Sequence, residues 1–215
     1  MKDLEKLLEK YPDLRVCQDE IQRAYALLVA SYDKGGKLLL AGNGGSASDC
    51  EHIVGELMKS FVRPRPLALD YVEKMKEIDP QWGDELASIL QAGLPAVSLT
   101  GFPALSSAFV NDCHPLMNFA QLVNVLGTSG DVFWGISTSG NSRNVCYAAL
   151  AAKAKGMRVL ALTGEKESLL SRWADVCIRV PRTETYQVQE LHLPVYHCIC
   201  MMLETHYYGK ENSGC

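Results

Sequence analysis

Hydrophobic residues recur at two spacings along this chain of 215 residues, and segments with the two spacings alternate. Before Gly35–Gly36 the spacing is helical on both sides of Pro12, which predicts a helix or a broken pair of helices. Short apolar runs bounded by glycine then predict buried strands, and helical patterns follow them. Such alternation favours right-handed crossovers and a parallel sheet covered on both faces. The predicted fold class is therefore α/β, a doubly wound parallel sheet of about five strands.

The predicted elements follow one another in this order along the chain. Strands are predicted at 37–41, 96–100, 131–137, 157–164 and 176–180, and helices at 46–61, 104–110, 116–126, 142–155, near Ser168 and at 185–206. Residues 62–95 fit the alternation poorly, and only a short helix near 84–92 is predicted within them. We therefore predict a single domain, with an N-terminal helical element at 1–34, an α/β core at 35–215 and an insert at about 62–95.

Composition and charge exclude several classes of protein. With 47% hydrophobic and 21% charged residues, the chain can bury a core without disulfides or metal ions. The net charge of -4 argues against a nucleic acid or an anionic membrane as partner. The cysteines are scattered without CxxC spacing behind a charged, amphipathic N-terminus, which predicts a cytoplasmic protein whose cysteines pack as small hydrophobic residues. The glycine and proline content of residues 86–130 excludes a membrane span.

Glycine-rich loops recur where predicted strands end, at residues 42–48, 137–142 and 163–168. Ligands of an open parallel sheet bind beyond the carboxyl ends of its strands, where helix N-termini offer backbone N–H groups. The first loop contributes Asn43, Gly44, Gly45 and Ser46, and the second contributes Ser137, Thr138, Ser139 and Ser142. Such neutral donors suit a phosphate monoester.

Other interpretations of these loops remain open. A serine-rich turn that caps a helix and binds nothing would have the same composition, and Ser142 is predicted to cap the helix after it. Neither loop has the lysine of a Walker A motif or the GxGxxG spacing, which makes nucleotide binding the weaker hypothesis.

Acidic and imidazole side chains follow the first loop and recur in the last predicted helix. His52 and Glu56 are four residues apart and therefore share a helix face, although a helix-stabilising surface pair would have the same spacing. In the last helix, His192 and His197 lie on different faces, so one site can hardly use both, and spacing does not say which one it uses. Each could equally be a buried histidine with hydrogen-bond partners. Asp112 is the sole formal charge in residues 86–130 and is predicted to serve the site, because charges inside apolar segments need a partner or a function.

Five segments together resemble the sugar isomerase (SIS) fold and, within it, the sedoheptulose 7-phosphate isomerase (phosphoheptose isomerase) family. They are "GNGGSASDCEHIVGEL", "FVND", "GDVFWGISTSGNSRNV", "KGMRVLALTG" and "VQELHLPVYH". The resemblance implies that the two loops and Gln189 bind the sugar phosphate, with Ser46, Ser137, Thr138, Ser139 and Ser142 supplying hydroxyl groups. It implies Glu56 and His197 as the acid–base pair. It further implies a zinc ion held by His52, Glu56, Gln189 and His197, and a homotetramer whose sites lie between subunits. The N-terminal helix also predicts a homotetramer, because it is strongly amphipathic and has no obvious partner of its own before the first strand.

Four departures from the family pattern accompany the resemblance. Ser60 stands where an arginine usually follows the helix glutamate, with Lys59 beside it, and Tyr186 stands where an acidic residue is usual. Pro194 is predicted to interrupt and kink the last helix, because proline lacks the N–H that a helix interior needs. The insert at 62–95 is the fourth departure.

The predicted function is an aldose–ketose isomerisation of a sugar phosphate, such as sedoheptulose 7-phosphate, through an enediol. That reaction needs one group to remove a carbon-bound proton and another to move protons between oxygens, which suits Glu56 as the base and His197 as the acid. The alternative is a non-catalytic protein that senses phosphosugars or binds a partner, as replication initiator-associating proteins of this type do. An amino-sugar phosphate isomerase or a deaminating enzyme is a weaker alternative on the same fold.

Overall fold

The fold is a five-stranded parallel sheet with helices on both faces. In the computed structural model, which describes residues 2–209, the strands lie in the order β2-β1-β3-β4-β5 and all neighbours are parallel. The strands are β1 (Leu38–Ala41), β2 (Ala96–Ser98), β3 (Val132–Ile136), β4 (Arg158–Thr163) and β5 (Val176–Arg179). This architecture confirms the predicted α/β class, and all five predicted strands are present.

Ten α-helices surround the sheet within residues 2–209. They are α1 (Lys2–Lys10), α2 (Gln18–Tyr32), α3 (Gly45–Met58), α4 (Leu69–Ile78), α5 (Pro80–Ile89), α6 (Pro103–Asp112), α7 (Asn118–Leu126), α8 (Arg143–Ala154), α9 (Leu169–Trp173) and α10 (Thr185–Tyr208). A 3-10 helix at Pro12–Cys17 joins α1 to α2. None of these helices is both long enough and apolar enough to cross a bilayer.

The core consists of two layers, one on each face of the sheet. Successive strand residues point to opposite faces, so Leu38 and Leu40 pack in the layer that includes α1, α2, α3 and α10, while Leu39 and Ala41 pack against α7 and α8. The seven cysteines within the described residues are free thiols, and five of them are buried, as predicted for small hydrophobic side chains. Cys215 lies outside the described residues.

The N-terminal helix already has a partner within its own chain. Leu4, Leu7 and Leu8 of α1 are at most 7% exposed, and they belong to the core layer that contains α10. The strong amphipathicity of α1 suggested a helix that needs a second subunit to cover it, and this interpretation is wrong. The tetramer prediction therefore loses its support from α1.

The insert forms a helical hairpin, α4 and α5, where the sequence predicted one short helix. Asp79 caps α5 by accepting a hydrogen bond from the Trp82 N–H at 2.9 Å, and Pro80 occupies its first turn. Gly83 lets the two helices approach closely, because a Cβ there would lie 2.6 Å from the backbone of Met75 and Lys76. Several large apolar side chains of the hairpin are exposed, among them Leu69, Ile78, Trp82 and Ile89.

Helix α10 continues through Pro194, so the predicted interruption is wrong. Proline in a helix interior removes one hydrogen bond and costs about 3 kcal/mol. Eleven residues of α10, including Pro194 itself, are buried in the fold. Packing along this face outweighs the cost of the proline.

A buried ion pair joins α10 to the end of α3. The Arg65 guanidinium donates to Glu204 Oε1 at 2.8 Å, and neither side chain is exposed. Arg65 also donates to the carbonyl oxygens of Leu57 and Glu56, at 2.6 and 2.8 Å, which would otherwise lack partners at the C-terminus of α3. The pair therefore fixes the end of α3, where Glu56 lies, relative to α10.

Glu204 is held in its charged form. Burial by itself raises the pKa of Glu204, but the backbone N–H groups of Phe61 and Val62 and the Arg65 guanidinium outweigh it and hold the pKa below its ordinary value. A folded-state pKa below the unfolded one means that this stabilisation is complete above the ordinary glutamate range and is lost as the pH falls from that range through the lower folded-state pKa.

We expect Glu204→Gln to lower the free energy of unfolding by about 3–5 kcal/mol, because it leaves the Arg65 charge buried without its counter-ion. Asp70→Asn is the matched control, since it breaks the exposed Lys74–Asp70 pair and should cost less than about 1 kcal/mol. Urea unfolding at neutral pH measures both. Equal losses for the two variants would contradict the role given to the buried pair.

Candidate active site

The two glycine-rich loops meet where the strand order reverses. β1 and β3 are neighbours in the sheet, and the loops that follow them lead into α3 and α8. In a sheet of order 2-1-3-4-5, this switch point between β1 and β3 is where ligands bind. Asn43 of the first loop and Asn144 of α8 exchange two amide hydrogen bonds, at 2.9 and 2.8 Å. The loops therefore form one structural unit.

The second loop is organised around the Ser137 hydroxyl. It accepts a hydrogen bond from the Gly140 N–H at 3.1 Å and pairs with the Ser142 hydroxyl at 3.0 Å. Gly140 has a φ of +66°, and a Cβ there would overlap the side chain of Ser168, so this turn requires glycine. Thr138 is partly buried and Ser139 is exposed, which leaves both accessible to a ligand.

Ser142 occupies the N-cap position of α8, as predicted, but its side chain does not cap the helix. Its hydroxyl pairs with the Ser137 hydroxyl and makes no hydrogen bond to the helix. Gly44 at the start of α3 provides no side-chain cap either. At both helix N-termini of the switch point, the N-cap residue thus makes no side-chain hydrogen bond to its helix, and only the Val145 N–H of α8 is bonded by a side chain, that of Asn144. Free N–H groups at helix N-termini favour binding of an anion.

His52, Glu56 and His197 form a cluster between α3 and α10. His52 Nε2 lies 3.2 Å from Glu56 Oε1 and 3.4 Å from His197 Nε2. The ring of Phe61 packs against His197 with the centroids 5.4 Å apart. Burial and a charge on His52 lower the pKa of His197, and Glu56 offsets them in part, which favours the neutral form of the His197 imidazole.

Tertiary structure decides which histidine of α10 belongs to this cluster. His197 is partly exposed and faces His52, whereas His192 is fully buried. Neither ring nitrogen of His192 has a hydrogen-bond partner among the described residues. Burial in these apolar surroundings lowers the pKa of His192 to about 4.

Gln189 connects α10 to the first loop. A Cβ on Gly45 would overlap the side-chain amide of Gln189, so the absence of a side chain at Gly45 makes room for that amide. Ser46, one residue further along α3, is 6% exposed. The first loop and α10 are therefore in direct contact.

The structure shows the surroundings of three further positions that the sequence analysis singled out. Asp112 is exposed and accepts a hydrogen bond from Asn111, so the argument that it is a charge inside an apolar segment is wrong. It is the last residue of α6, and within residues 2–209 it has no hydrogen bond or ion pair with His52, Glu56 or His197. Lys59 Nζ lies 3.7 Å from Glu56 Oε2 and supplies a positive charge near the family's arginine position. Tyr186, which stands where the family usually has an acidic residue, is exposed.

The predicted zinc ligands are partly brought together. Two nitrogens bound to one tetrahedral zinc ion lie about 3.4 Å apart. The Nε2 atoms of His52 and His197 lie 3.4 Å apart, which matches this spacing. Within residues 2–209, however, no group of three or more His, Cys, Asp or Glu side chains is arranged to hold a metal ion. Zinc binding by His52, Glu56, Gln189 and His197 therefore stays a prediction.

Several residues around the cluster were not singled out from the sequence. Tyr196 contacts both Asp49 and His52, and Arg65 and Glu204 hold the end of α3. Glu204 had a detectable signal, since it is a charged residue within an apolar helical stretch. Asp49 and Tyr196 have no comparable signal, because their contact spans 147 positions of the chain.

Comparison with known proteins identifies the family. A model described as SIS domain matches residues 75–164. The chain is 36% identical over 191 residues to a phosphoheptose isomerase of Burkholderia pseudomallei, which covers 89% of this chain and 84% of the relative. The corresponding enzyme of Thiobacillus denitrificans is 37% identical over 194 residues, or 89% and 85% of the two chains. The chain belongs to the phosphoheptose isomerase family.

Solved structures agree with this membership. A phosphoheptose isomerase from Neisseria gonorrhoeae superimposes with a TM-score of 0.72 at 30% identity, over 94% of each chain. The resemblance to this family, based on the loops and α10, is confirmed. The SIS match begins within α4 and ends after β4, so the first loop and α10 lie outside it.

We expect acid to destabilise the fold through His192. The pKa of His192 is about 4 in the folded protein against 6.5 in an ordinary histidine. The protein therefore keeps its full stability above pH 6.5 and loses stability as the pH falls toward 4, because the unfolded state takes up the proton more readily than the folded state. This amounts to about 2 kcal/mol between pH 7.5 and 5.

Urea unfolding at the two pH values measures the loss, and His192→Leu should reduce the difference by that amount. His206→Gln, at an exposed histidine of the same helix, should leave it unchanged. A pH dependence that survives in His192→Leu would contradict the prediction.

Proposed function

We propose that this protein is a phosphosugar isomerase that interconverts the aldose and ketose forms of a sugar phosphate such as sedoheptulose 7-phosphate. The observation that carries the proposal is the convergence of the Glu56 carboxylate and the His197 ring on His52, 3.2 and 3.4 Å away. The names of the relatives point to the same reaction class. A non-catalytic phosphosugar sensor would need neither side chain.

In the proposed reaction, Glu56 removes the proton from the carbon next to the substrate carbonyl and later returns it to the neighbouring carbon. The electron pair left behind forms the enediol. His197 donates a proton to the carbonyl oxygen and accepts one from the adjacent hydroxyl, so no net proton is gained or lost. A neutral imidazole suits this role, because its N–H polarises the carbonyl oxygen, and the same nitrogen, once it has given up that proton, can accept the proton of the adjacent hydroxyl.

The phosphate is proposed to bind at the switch point. The donors are the hydroxyl groups of Ser46, Ser137, Thr138, Ser139 and Ser142 and the backbone of Asn43, Gly44 and Gly45. Support comes from the two helix N-termini without side-chain caps and from the absence of nearby acidic residues in either loop. Gln189, which packs on Gly45, would contact the sugar.

A zinc ion at His52, Glu56, Gln189 and His197 is part of the proposal. When bound, it would polarise the substrate carbonyl and orient the substrate oxygens. The spacing of the two imidazole nitrogens supports it.

We further propose a cytoplasmic homotetramer with sites between subunits, to which Asp112 of a neighbouring subunit contributes. The exposed apolar side chains of the α4–α5 hairpin support subunit contacts, because large exposed apolar patches mark interaction surfaces. Neither nucleic acid nor membrane is proposed as a partner.

We expect Glu56→Gln to lower turnover by about 10²–10⁴-fold with little change in sugar phosphate affinity, because the amide keeps the shape but lacks the basic lone pair. Glu51→Gln is the matched control, since Glu51 lies on the same helix and is exposed. His197→Asn should act like Glu56→Gln, and the double variant should be little worse than either.

Deuterium incorporation from solvent at the carbon next to the carbonyl, followed by NMR, reports the proton abstraction directly. Undiminished exchange in Glu56→Gln would remove Glu56 from the mechanism and favour the phosphosugar-binding alternative.

We expect the phosphate group to supply much of the binding energy. Hydrogen bonds to a charged group contribute about 1.5–3 kcal/mol each, so the dephosphorylated sugar should bind at least about tenfold more weakly. Calorimetry of the wild-type protein with both ligands measures this difference. Ser139→Ala should narrow the difference, while Ser107→Ala, at an exposed serine of α6, should not. Equal affinities for the two sugars would refute the phosphate site.

A further inference from the structure

A phenylalanine in the segment after α3 packs against the proposed acid. The ring centroids of Phe61 and His197 are 5.4 Å apart, and the two ring planes are inclined by 49°. Phe61 is partly buried and packs on the core layer that contains α10. No step of the proposed reaction uses this side chain, so its place beside His197 is unexplained.

Glu204 ties the backbone of this segment to α10. Its Oε1 atom accepts a hydrogen bond from the Phe61 N–H at 2.9 Å, and its Oε2 atom accepts one from the Val62 N–H at 3.0 Å. Arg65, four residues after Phe61, donates to Oε1 at 2.8 Å. The Glu204 carboxylate is fully buried, and charged groups with such donors tolerate little displacement. The backbone of Phe61 is therefore fixed relative to α10.

The anchor and the ring that Phe61 contacts lie on the same face of α10. Glu204 follows His197 by seven residues, which is about 10 Å along the helix axis and within about 20° of the same direction around it. Helical side chains lean toward the helix N-terminus, so the Glu204 carboxylate leans toward the turn that carries His197. The Phe61 side chain covers the remaining distance.

Polar contacts alone hold the His197 ring weakly. Within residues 2–209 its hydrogen-bond partner is His52 Nε2 at 3.4 Å, which is beyond the usual range of protein hydrogen bonds. The last side-chain torsion of a histidine has broad minima, so packing must set the rotation of the ring. The rings of His52, Phe61 and the adjacent Tyr196 contact it. Of these three, only Phe61 comes from the segment that Glu204 holds.

We propose that Phe61 is a positioning residue that holds the His197 ring at the rotation that points Nε2 toward His52. The effect on turnover rests on the proposed function, whereas the ring contact does not. A group that transfers protons must be kept close to its productive geometry, because orientation supplies a large part of catalysis. The Glu204 carboxylate then serves both members of the acid–base pair, since Arg65 also donates to the Glu56 carbonyl oxygen.

The structural test is ¹H NMR of the full-length protein at about pH 8.5, two units above the ordinary imidazole pKa, where titration does not move the histidine signals. His197→Asn assigns the signals of the His197 ring. In the wild-type protein these protons should show nuclear Overhauser effects to the Phe61 ring. In Phe61→Leu they should change position, because the ring current of Phe61 is lost. Phe61→Tyr keeps the ring and should leave them nearly in place.

Tyr25→Leu is the matched control. Tyr25 makes the same kind of contact with His206, in the last turn of α10, with the ring centroids 6.1 Å apart. Its loss should move the signals of His206 and leave those of His197 unchanged.

The functional test compares kcat with KM for sedoheptulose 7-phosphate. Phe61→Leu should lower kcat by about 10–100-fold, because a displacement of about 1 Å at a reacting group has an effect of that size. KM, and the affinity for the sugar phosphate measured by calorimetry, should stay unchanged. Phe61→Tyr should keep kcat near the wild-type value, and so should Tyr25→Leu.

Three results would overturn the inference: no Overhauser effect between the two rings in the wild-type protein, an unchanged kcat in Phe61→Leu, or a loss of kcat that Phe61→Tyr shares. If Phe61→Leu does not fold, Phe61→Met replaces it, because methionine adapts to irregular gaps. A wild-type protein without isomerase activity would count against the proposed function, while the NMR spectra would still decide whether Phe61 holds the His197 ring.

Discussion

The distance between α3 and α10 governs the candidate site, because Glu56 lies on one helix and His197 on the other. The buried Arg65–Glu204 pair joins the segment after α3 to α10, at 2.8 Å with both side chains fully buried. Arg65 also satisfies two carbonyl oxygens at the end of α3, including that of Glu56 itself. A buried charge pair tolerates little displacement, because each charge would be left without compensation.

Further polar contacts around the Arg65–Glu204 pair connect the elements of the site. The Asp49, Tyr196 and His52 side chains approach the cluster from the core, while Lys59 approaches Glu56 from the surface. Asn43 and Asn144 join the loops at the switch point, and Gln189 joins the first loop to α10. Each contact connects residues from different elements, so the proposed phosphate site and the acid–base cluster are fixed within one framework.

Much of the fold could be predicted from local patterns. All five strands follow from short apolar runs, and glycine-rich loops come after three of them. The order of the strands, and with it the switch point between β1 and β3, came only from the structure. The α4–α5 hairpin was missed as a pair of helices, although Asp79 and Pro80 mark the start of α5, because exposed apolar residues such as Ile78 and Trp82 obscure the usual amphipathic pattern. The helix through Pro194 was also mispredicted, since packing along α10 outweighs a local cost.

The sequence by itself determined the α/β class, the two glycine loops and the shared helix face of His52 and Glu56, because each depends on spacing within a short segment. Tertiary structure alone decided that His197 and not His192 faces this pair, that α1 is covered by its own chain, and that Ser142 bonds to Ser137 rather than to its helix. It also brought Tyr196 to His52 and Arg65 to Glu204, across 144 and 139 positions. Contacts at such separations depend on how whole helices pack, and residue spacing along a single helix carries no information about its neighbour.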